Sequence, residues 1–460
     1  MLRKCAVVAA FVTLLSACGG SSGVTERQVL VDYSSDEFAS FIAQDSPRRI
    51  EITPGTTVVW KQTWTGEPHT VTGGGLSNKK LADSVSLLKL FNGYESLRAK
   101  NSTMVDPENA GDATMLDFFT ELKHASPKAS ADAVVASYRA VRARYPDLPD
   151  SDHPPATLVT PFNDRMNEIA NGVFDSFLYA HGQGDNDVAQ NVGQRCFLKN
   201  GGPPEDVSQP CSAAQQRQPE FDGTYSFYNS GILPYEGPRG NTYRVRFSPK
   251  TKPGTYFFYC AIHGPNQLSE VVVRPKGTKV ASAAAIARQG RKEATDAIAP
   301  MATTFRNATR TNKVKVQGRT LTGPFAGLPS AQEGSINEFV PRTLQVKVNQ
   351  PITWHFVGAD HTISFNVPPY LPIMTFASSG TVSFNAKVHD PAGGAPKPPD
   401  FGDNDKRVID GGTYSGTGFW SSGVVGGDPP TSYTLRIAKK GTYNYACLIH
   451  PRMIGKVVVS

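Results

Sequence analysis

No stretch of the 460 residues is long and apolar enough to cross a bilayer as a helix; the clearest apolar run, Ala6 to Leu15, is too short. Basic residues outnumber acidic ones, for a formal charge of +7, but they are spread along the chain. No block is dense enough to hold nucleic acid. Methionine is scarce at seven, which argues against the Met/His-rich tracts of a metal-storage protein. None of the nine histidines forms a His-x-His pair, so the paired imidazoles of a multinuclear oxygen-reducing copper cluster have no source. A nucleophile elbow and a zincin helix are missing too, and with them any legible hydrolytic constellation. Cysteine is sparse, six in all, and each can be given its own role.

Glycine and proline are plentiful at 42 and 35, and 39% of residues are hydrophobic, which together describe a turn-rich, largely β chain with material for real cores. A chain of 460 residues suits two or three domains. At the start, Met1-Leu2-Arg3-Lys4, the apolar run and Leu15-Ser16-Ala17-Cys18 resemble a bacterial lipoprotein signal. On that reading residues 1–17, Cys5 among them, are removed, Cys18 carries lipid, and 18–27 is a flexible tether. The expectation is an exported protein, lipid-anchored to a bacterial membrane and facing the periplasm or the cell exterior. Such a compartment permits a disulfide, and Cys196 and Cys211 can form one.

The remaining cysteines, Cys260 and Cys447, sit in an internal repeat. Tyr243-Arg244-Val245-Arg246-Phe247 and then Gly254-Thr255-Tyr256-Phe257-Phe258-Tyr259-Cys260-Ala261-Ile262-His263 match Tyr433-Thr434-Leu435-Arg436-Ile437 and Gly441-Thr442-Tyr443-Asn444-Tyr445-Ala446-Cys447-Leu448-Ile449-His450. Upstream, a strand pair ending at Trp60 precedes His69, and one ending at Trp354 precedes His361. Alternation of Val, Ile, Thr and aromatics predicts half-buried strands of a sandwich. Between the halves of the first copy, about 76–221, the pattern turns helical, with Phe162, Met166, Ile169, Val173 and Phe177 on one stripe. The second copy has a Gly/Pro-rich loop insertion at about 366–417, and Ala281 to Ala297 predicts a helical linker.

Two imidazoles and one thiolate in a near-trigonal plane, with a weak axial donor, are what a type 1 copper ion requires. The repeat supplies this twice: His69, Cys260 and His263, then His361, Cys447 and His450. A structural zinc site would normally add another Cys or His. His124, His153, His181, His355 and His389 are isolated and are expected to be local rather than metal-bound.

The run Cys447-Leu448-Ile449-His450-Pro451-Arg452-Met453 resembles the ligand loop of cupredoxins, the blue copper family, in its plastocyanin/amicyanin-like branch. The resemblance covers roughly 28–75 with 222–275 and 335–365 with 416–460. It implies a mainly β fold of two Greek-key β-sandwiches: domain one at 28–276, interrupted by the helical insertion, a linker at 277–312, and domain two at 313–460. It implies Met453 as the axial thioether of the second site. The first site departs from the pattern, since no Met follows His263; Gln267 is favoured over Leu268 for its axial position. The implied cofactor is two type 1 copper ions. The implied role is electron transfer with redox proteins of the cell envelope, non-catalytic, without nucleic acid, and with the membrane met through the anchor; copper delivery or storage is the alternative. In such proteins the histidine after the cysteine offers an exposed edge, here expected amid Ile262, Pro265, Ile449 and Pro451.

Overall fold

The computed structural model describes residues 26–33, 35–42, 44–63, 68–78, 193–202, 211–233, 241–316, 318–330, 334–368, 374–376, 382–398, 408–427 and 430–460. Cys18, residues 19–25 of the tether and the stripe from Phe162 to Phe177 lie outside these residues, as do His124, His153 and His181, whereas Glu26 and Arg27, expected in the tether, begin the first strand.

The chain is mainly β. Its first strands are β1 (Glu26–Val31), β2 (Ser40–Ile42), β3 (Asp45–Ser46), β4 (Arg49–Ile52), β5 (Thr57–Gln62) and β6 (Thr72–Gly73). They continue with β7 (Arg195–Leu198), β8 (Phe227–Ser230), β9 (Thr242–Arg246), β10 (Gly254–Cys260) and β11 (Gly264–Val273). A four-stranded sheet, β3-β1-β5-β9, faces a six-stranded one, β4-β11-β10-β6-β8-β7. Along β9 the buried Tyr243 and Val245 alternate with the exposed Arg244 and Arg246, the period-two burial of a sandwich strand. Val29, Val31, Trp60 and Val245 of one sheet share an apolar cluster with Tyr228, Phe258, Val271 and Val273 of the other. Trp60 keeps its ring in that core by donating its indole N–H to Ser269 Oγ at 3.0 Å.

Helix α1 (Ala283–Thr311) follows. Ser282 caps it, its side chain accepting from the Ala285 N–H, and Asn312 ends it in the left-handed conformation. Its buried stripe holds Ile286, Ala294, Ile298, Met301 and Phe305, so the apolar face carries it through Pro300 and well past Ala297, where the sequence pattern had faded.

The later strands are β12 (Lys313–Val316), β13 (Arg319–Thr322), β14 (Phe325–Leu328), β15 (Gly334–Val340), β16 (Thr343–Val346), β17 (Ile352–Phe356), β18 (Ser364–Phe365), β19 (Met374–Phe376) and β20 (Val382–Phe384). After the short helix α2 (Ala386–His389) come β21 (Pro391–Ala392), β22 (Val408–Tyr414), β23 (Trp420–Ser422), β24 (Thr431–Ile437), β25 (Gly441–Ala446) and β26 (Ile454–Val459). Two six-stranded sheets result, β2-β15-β14-β17-β24-β22 and β16-β26-β25-β18-β23-β21. Trp354, Tyr433 and Leu435 of the first meet Trp420, Tyr445 and Val457 of the second in a common core.

Three features depart from the sequence expectation. Arg195–Leu198, inside the stretch expected to be helical, is strand β7, held to β8 and closed by the Cys196–Cys211 disulfide with Cα atoms 5.9 Å apart. The expected loop at 366–417 contains β22, seven residues whose Ile409 and Tyr414 face the second core. Most consequentially, β2 lies between β1 and β3 in sequence yet pairs with β15 at the edge of the second pair of sheets. Among the described residues no helix is long and apolar enough to cross a membrane.

Candidate metal centres

Strand ends bring the sequence-predicted ligands together twice. His69 follows β5 and is fixed by a two-way backbone bridge to Leu233; Cys260 ends β10; His263 lies on the turn into β11. Their donor atoms lie within 4.8 Å of one another, as do those of His361, Cys447 and His450. Cys260 Sγ stands 3.4 Å from His263 Nδ1. In the second group Cys447 Sγ is 3.5 Å from His450 Nδ1 and 3.9 Å from His361 Nδ1, and the two Nδ1 atoms are 2.9 Å apart. An ion held by two nitrogens at about 2.0 Å and a sulfur at about 2.3 Å in one plane leaves donors roughly 3.5–3.8 Å apart. The sulfur–nitrogen spacings are close to that, while the two Nδ1 atoms of the second group stand nearer together than an ion between them would leave them. Gln267 is fully buried with Oε1 3.1 Å from His69 Nδ1, whereas Leu268 sits on β11 opposite Tyr259. Met453 is fully buried in the second site's loop, its carbonyl accepting from the Cys447 N–H and its own N–H donating to the His450 carbonyl.

A threonine follows the first histidine in both groups and locks the sulfur. The Thr70 N–H donates to Cys260 Sγ at 3.3 Å, and Thr70 Oγ1 accepts from the Ala261 N–H at 2.7 Å. The Thr362 N–H does the same to Cys447 Sγ at 3.4 Å, and Thr362 Oγ1 accepts from the Leu448 N–H at 2.8 Å. The matching His69-Thr70 and His361-Thr362 pairs were the sequence signal for these residues.

The surroundings of the two groups differ. Behind His69, Asp32 places Oδ2 3.3 Å from Nε2. Behind Gln267 lies Asp45, reached by Gln267 Nε2 at 3.4 Å and by the Ser269 hydroxyl. Both carboxyls are buried, and burial pushes each up to about 6, with His69 pulling Asp32 back and Ser269 pulling Asp45 back. Burial alone would lower the His69 ring, but hydrogen bonds to Asp32 and Cys260 and their charges raise it to about 10. Burial would raise the Cys260 thiol, and the charges and hydrogen bonds of His263 and His69 outweigh it, leaving the thiol well below its ordinary value. Cys447 is lowered in the same way, its burial outweighed by His450 and His361. Each pocket therefore favours a thiolate beside positive charge, which a metal cation can supply in place of a proton. Thiolate plus imidazoles, with an amide or thioether as the remaining donor, fits copper better than structural zinc.

His355 belongs to neither group; its Nδ1 is 3.0 Å from Ser432 Oγ. The exposed apolar edge expected at the second site is corrected: Ile449 and His450 are buried, Ile449 within the core that also takes Cys447, Leu448 and Met453. At the first site the Phe41 ring lies over His263, with centroids 4.6 Å apart. Asp32, Asp45 and Phe41 had no signal in the repeat, since they belong to the first copy alone.

No family model matches the chain, and no curated protein matches it. Among solved structures it is similar to oxidised plastocyanin from Dryopteris crassirhizoma at 20% identity, over 27% of this chain and 91% of that one, with a TM-score of 0.15. It is similar to a reduced amicyanin variant at 19% identity, over 27% and 73% of the chains, with a TM-score of 0.12. A purple cupredoxin from Nitrosopumilus maritimus is similar at 16% identity, over 27% and 83%, with a TM-score of 0.14. At such identities and TM-scores, the chemistry of the two donor groups bears on function and the likeness does not.

Proposed function

We propose that this chain is an extracytoplasmic, membrane-anchored electron-transfer protein with two type 1 copper sites. His69, Cys260, His263 and Gln267 serve one; His361, Cys447, His450 and Met453 serve the other. The observation that carries the reading is the pair of imidazole–imidazole–thiolate groups on β-sandwich strand ends, buried throughout in the second and in all but His263 in the first. Bound copper would supply a one-electron couple. The chain's part is to hold the donors still: the Thr70 and Thr362 amides steady the sulfurs, and the disulfide-braced sheet steadies β8 beside β6. A site that barely rearranges between oxidation states exchanges electrons readily. Partners are redox proteins of the cell envelope, and attachment is through lipid on Cys18.

The soluble form lacking the anchor is the material for the test. With copper it should bind two ions and show an intense thiolate-to-copper band that bleaches on reduction and returns on oxidation. Cys447→Ser should remove the second site's share and leave the first. Turnover of oxygen or nitrite by the pure protein would overturn the carrier reading, and irreversible copper loss on reduction would turn it toward delivery. Separately, Cys18→Ala should abolish partition into membranes; a mature N-terminus that is not a modified Cys18 would sink the anchor. Each lipid methylene buried contributes about 0.8 kcal/mol to attachment.

A further inference from the structure

One short segment of the chain touches both centres. After β1 the backbone leaves the first sandwich, and residues 35–42 run along the second. Phe41 pairs with Ser335 of β15, and Ala39 is held on both sides, its N–H donating to Glu338 Oε1 at 2.8 Å and its carbonyl accepting from the Asn337 N–H at 2.9 Å. Phe38 stacks on Phe305 of α1 at 5.1 Å between centroids. Although its backbone belongs to the second sandwich, Phe41 sets its ring 4.6 Å from His263 and 5.9 Å from His69, ligands of the first site. At the other end Arg452, between His450 and Met453, donates from Nη1 to the Ser35 carbonyl at 3.1 Å and from Nη2 to the Asp36 carbonyl at 3.2 Å. Ser40 Oγ shortens the path within the segment, accepting from the Ser35 N–H at 3.4 Å and donating to the Tyr33 carbonyl at 3.3 Å.

We propose that residues 35–41 are an internal electron bridge between the two centres; this rests on reading both donor groups as type 1 copper sites. Tunnelling decays less steeply through bonded and closely packed atoms than through open gaps. A continuous route of that kind runs from the His263 ring to the Phe41 ring, through Ser40 and Ser35, to the Arg452 guanidinium and so into the second ligand loop. A segment that only glued the sandwiches together would bury all its aromatic rings in the shared core. Phe38 does so, beside Ile42 in the cluster that includes Met301, Phe305 and Ile336. Phe41 packs on the ligand rings instead. The step moves one electron, oxidising one reduced centre and reducing the other, oxidised one, with no bond made and no proton moved. The donor and acceptor outside the chain are the redox partners of the carrier reading.

The test uses the copper-loaded soluble chain, reduced at one centre by a flash-generated one-electron donor and followed at both absorption bands. The expected result is a first-order exchange phase whose rate does not change with protein concentration. Phe41→Leu, which keeps an apolar side chain without the ring, and Arg452→Lys, which keeps the charge without the two-pronged donation, should each lose that phase while retaining both bands and both potentials. In metal-free protein, nuclear Overhauser contacts should link the ring protons of Phe41 and His263. An exchange rate proportional to protein concentration, an unchanged phase in both variants, or no contact between those rings overturns the bridge. Two reversible copper couples without internal exchange sink the bridge alone. Failure to form reversible couples sinks the carrier reading with it.

Discussion

Asp32 and Gly327 hold matching places on their strands, each following a residue paired with the end of the neighbouring parallel strand: Val31 with Gln62, and Ala326 with Phe356. Both have positive φ, 61° and 79°. At the first site this puts a carboxylate 3.3 Å from His69 Nε2. At the second, a Cβ on Gly327 would stand 2.2 Å from His361 Nε2, so only glycine fits. An Nε2–H held by Asp32 leaves Nδ1 as the donor and makes the ring more electron-rich. Under the proposed copper reading, buried negative charge at Asp32 and Asp45, and the hard amide oxygen of Gln267, favour the oxidised ion; the soft Met453 does not. The first site should therefore have the lower potential, and electrons should run from it to the second. Asp32→Asn should raise the first potential and leave the second fixed, with about 59 mV for each tenfold change in equilibrium constant. Gln267→Met should also raise it; no change in spectrum or potential would show that Gln267 is not a ligand. Asp45 gives a pH dependence in metal-free protein. Its folded value, about 6, lies above the ordinary 3.8, so the folded state binds the extra proton and stability falls as pH rises from about 4 to 6. Denaturation curves of wild type and Asp45→Asn should diverge across that window, toward a difference on the order of 3 kcal/mol. The six His and Cys residues of the two groups were legible because the chain writes Cys-x-x-His twice at the end of a matching strand, each with a His-Thr pair upstream. Asp32 was not, because the second copy carries glycine there.

Among the elements, α1 shows why sequence pattern and final contact part company. Its first half is readable as a helix from Ala281 to Ala297, but Gly290 looks like a weak point there. A Cβ there would meet the Ser46 carbonyl oxygen at 2.7 Å and Pro47 Cδ at 2.8 Å, so the glycine lets the helix lie directly against the turn after β3. Gly290→Ala gains about 1 kcal/mol of helix propensity. Overpacking typically costs about 1–3 kcal/mol and should win. A lower denaturation midpoint at unchanged slope is the expected outcome; a higher midpoint would mean that the helix does not press on this turn. Strand β7 was hidden for a different reason. Its pairing with β8 joins residues whose sequence neighbours are a turn-rich stretch, and only the disulfide hinted that they were anchored. β22 was missed because two consecutive glycines, Gly411 and Gly412, break the alternation that its burial otherwise shows.

On the scale of the whole molecule, the division into 28–276 and 313–460 that the repeat suggests does not describe how the apolar surface is shared. β2 comes from the N-terminal stretch and completes a sheet of the C-terminal sandwich, while α1, written as a linker, packs on β1, on β3 and on β15. Phe38 sits fully buried where these parts meet, with Ile42, Phe305 and Ile336. Such interlocking makes the separate loss of either sandwich expensive, because each would uncover part of the other's core. Wild type should therefore unfold in denaturant through one transition, with the two halves reporting the same midpoint. Fluorescence from the two halves can be separated by variants that keep tryptophan only at Trp60 or only at Trp354, with the other three of the four changed to Phe. Phe38→Ala removes a buried aromatic from the junction, a change that costs about 3–5 kcal/mol in a packed core. Because that loss falls on the contact between halves, it should separate the two midpoints rather than lower one common value. Glu37, beside it, forms a forked ion pair with Arg306 at the surface, where such pairs contribute little. Glu37→Ala should leave the transition single and nearly unmoved. Two transitions in wild type, or a single lowered one in Phe38→Ala, would mean that β2 and α1 lie against the second sandwich without coupling its stability to the first.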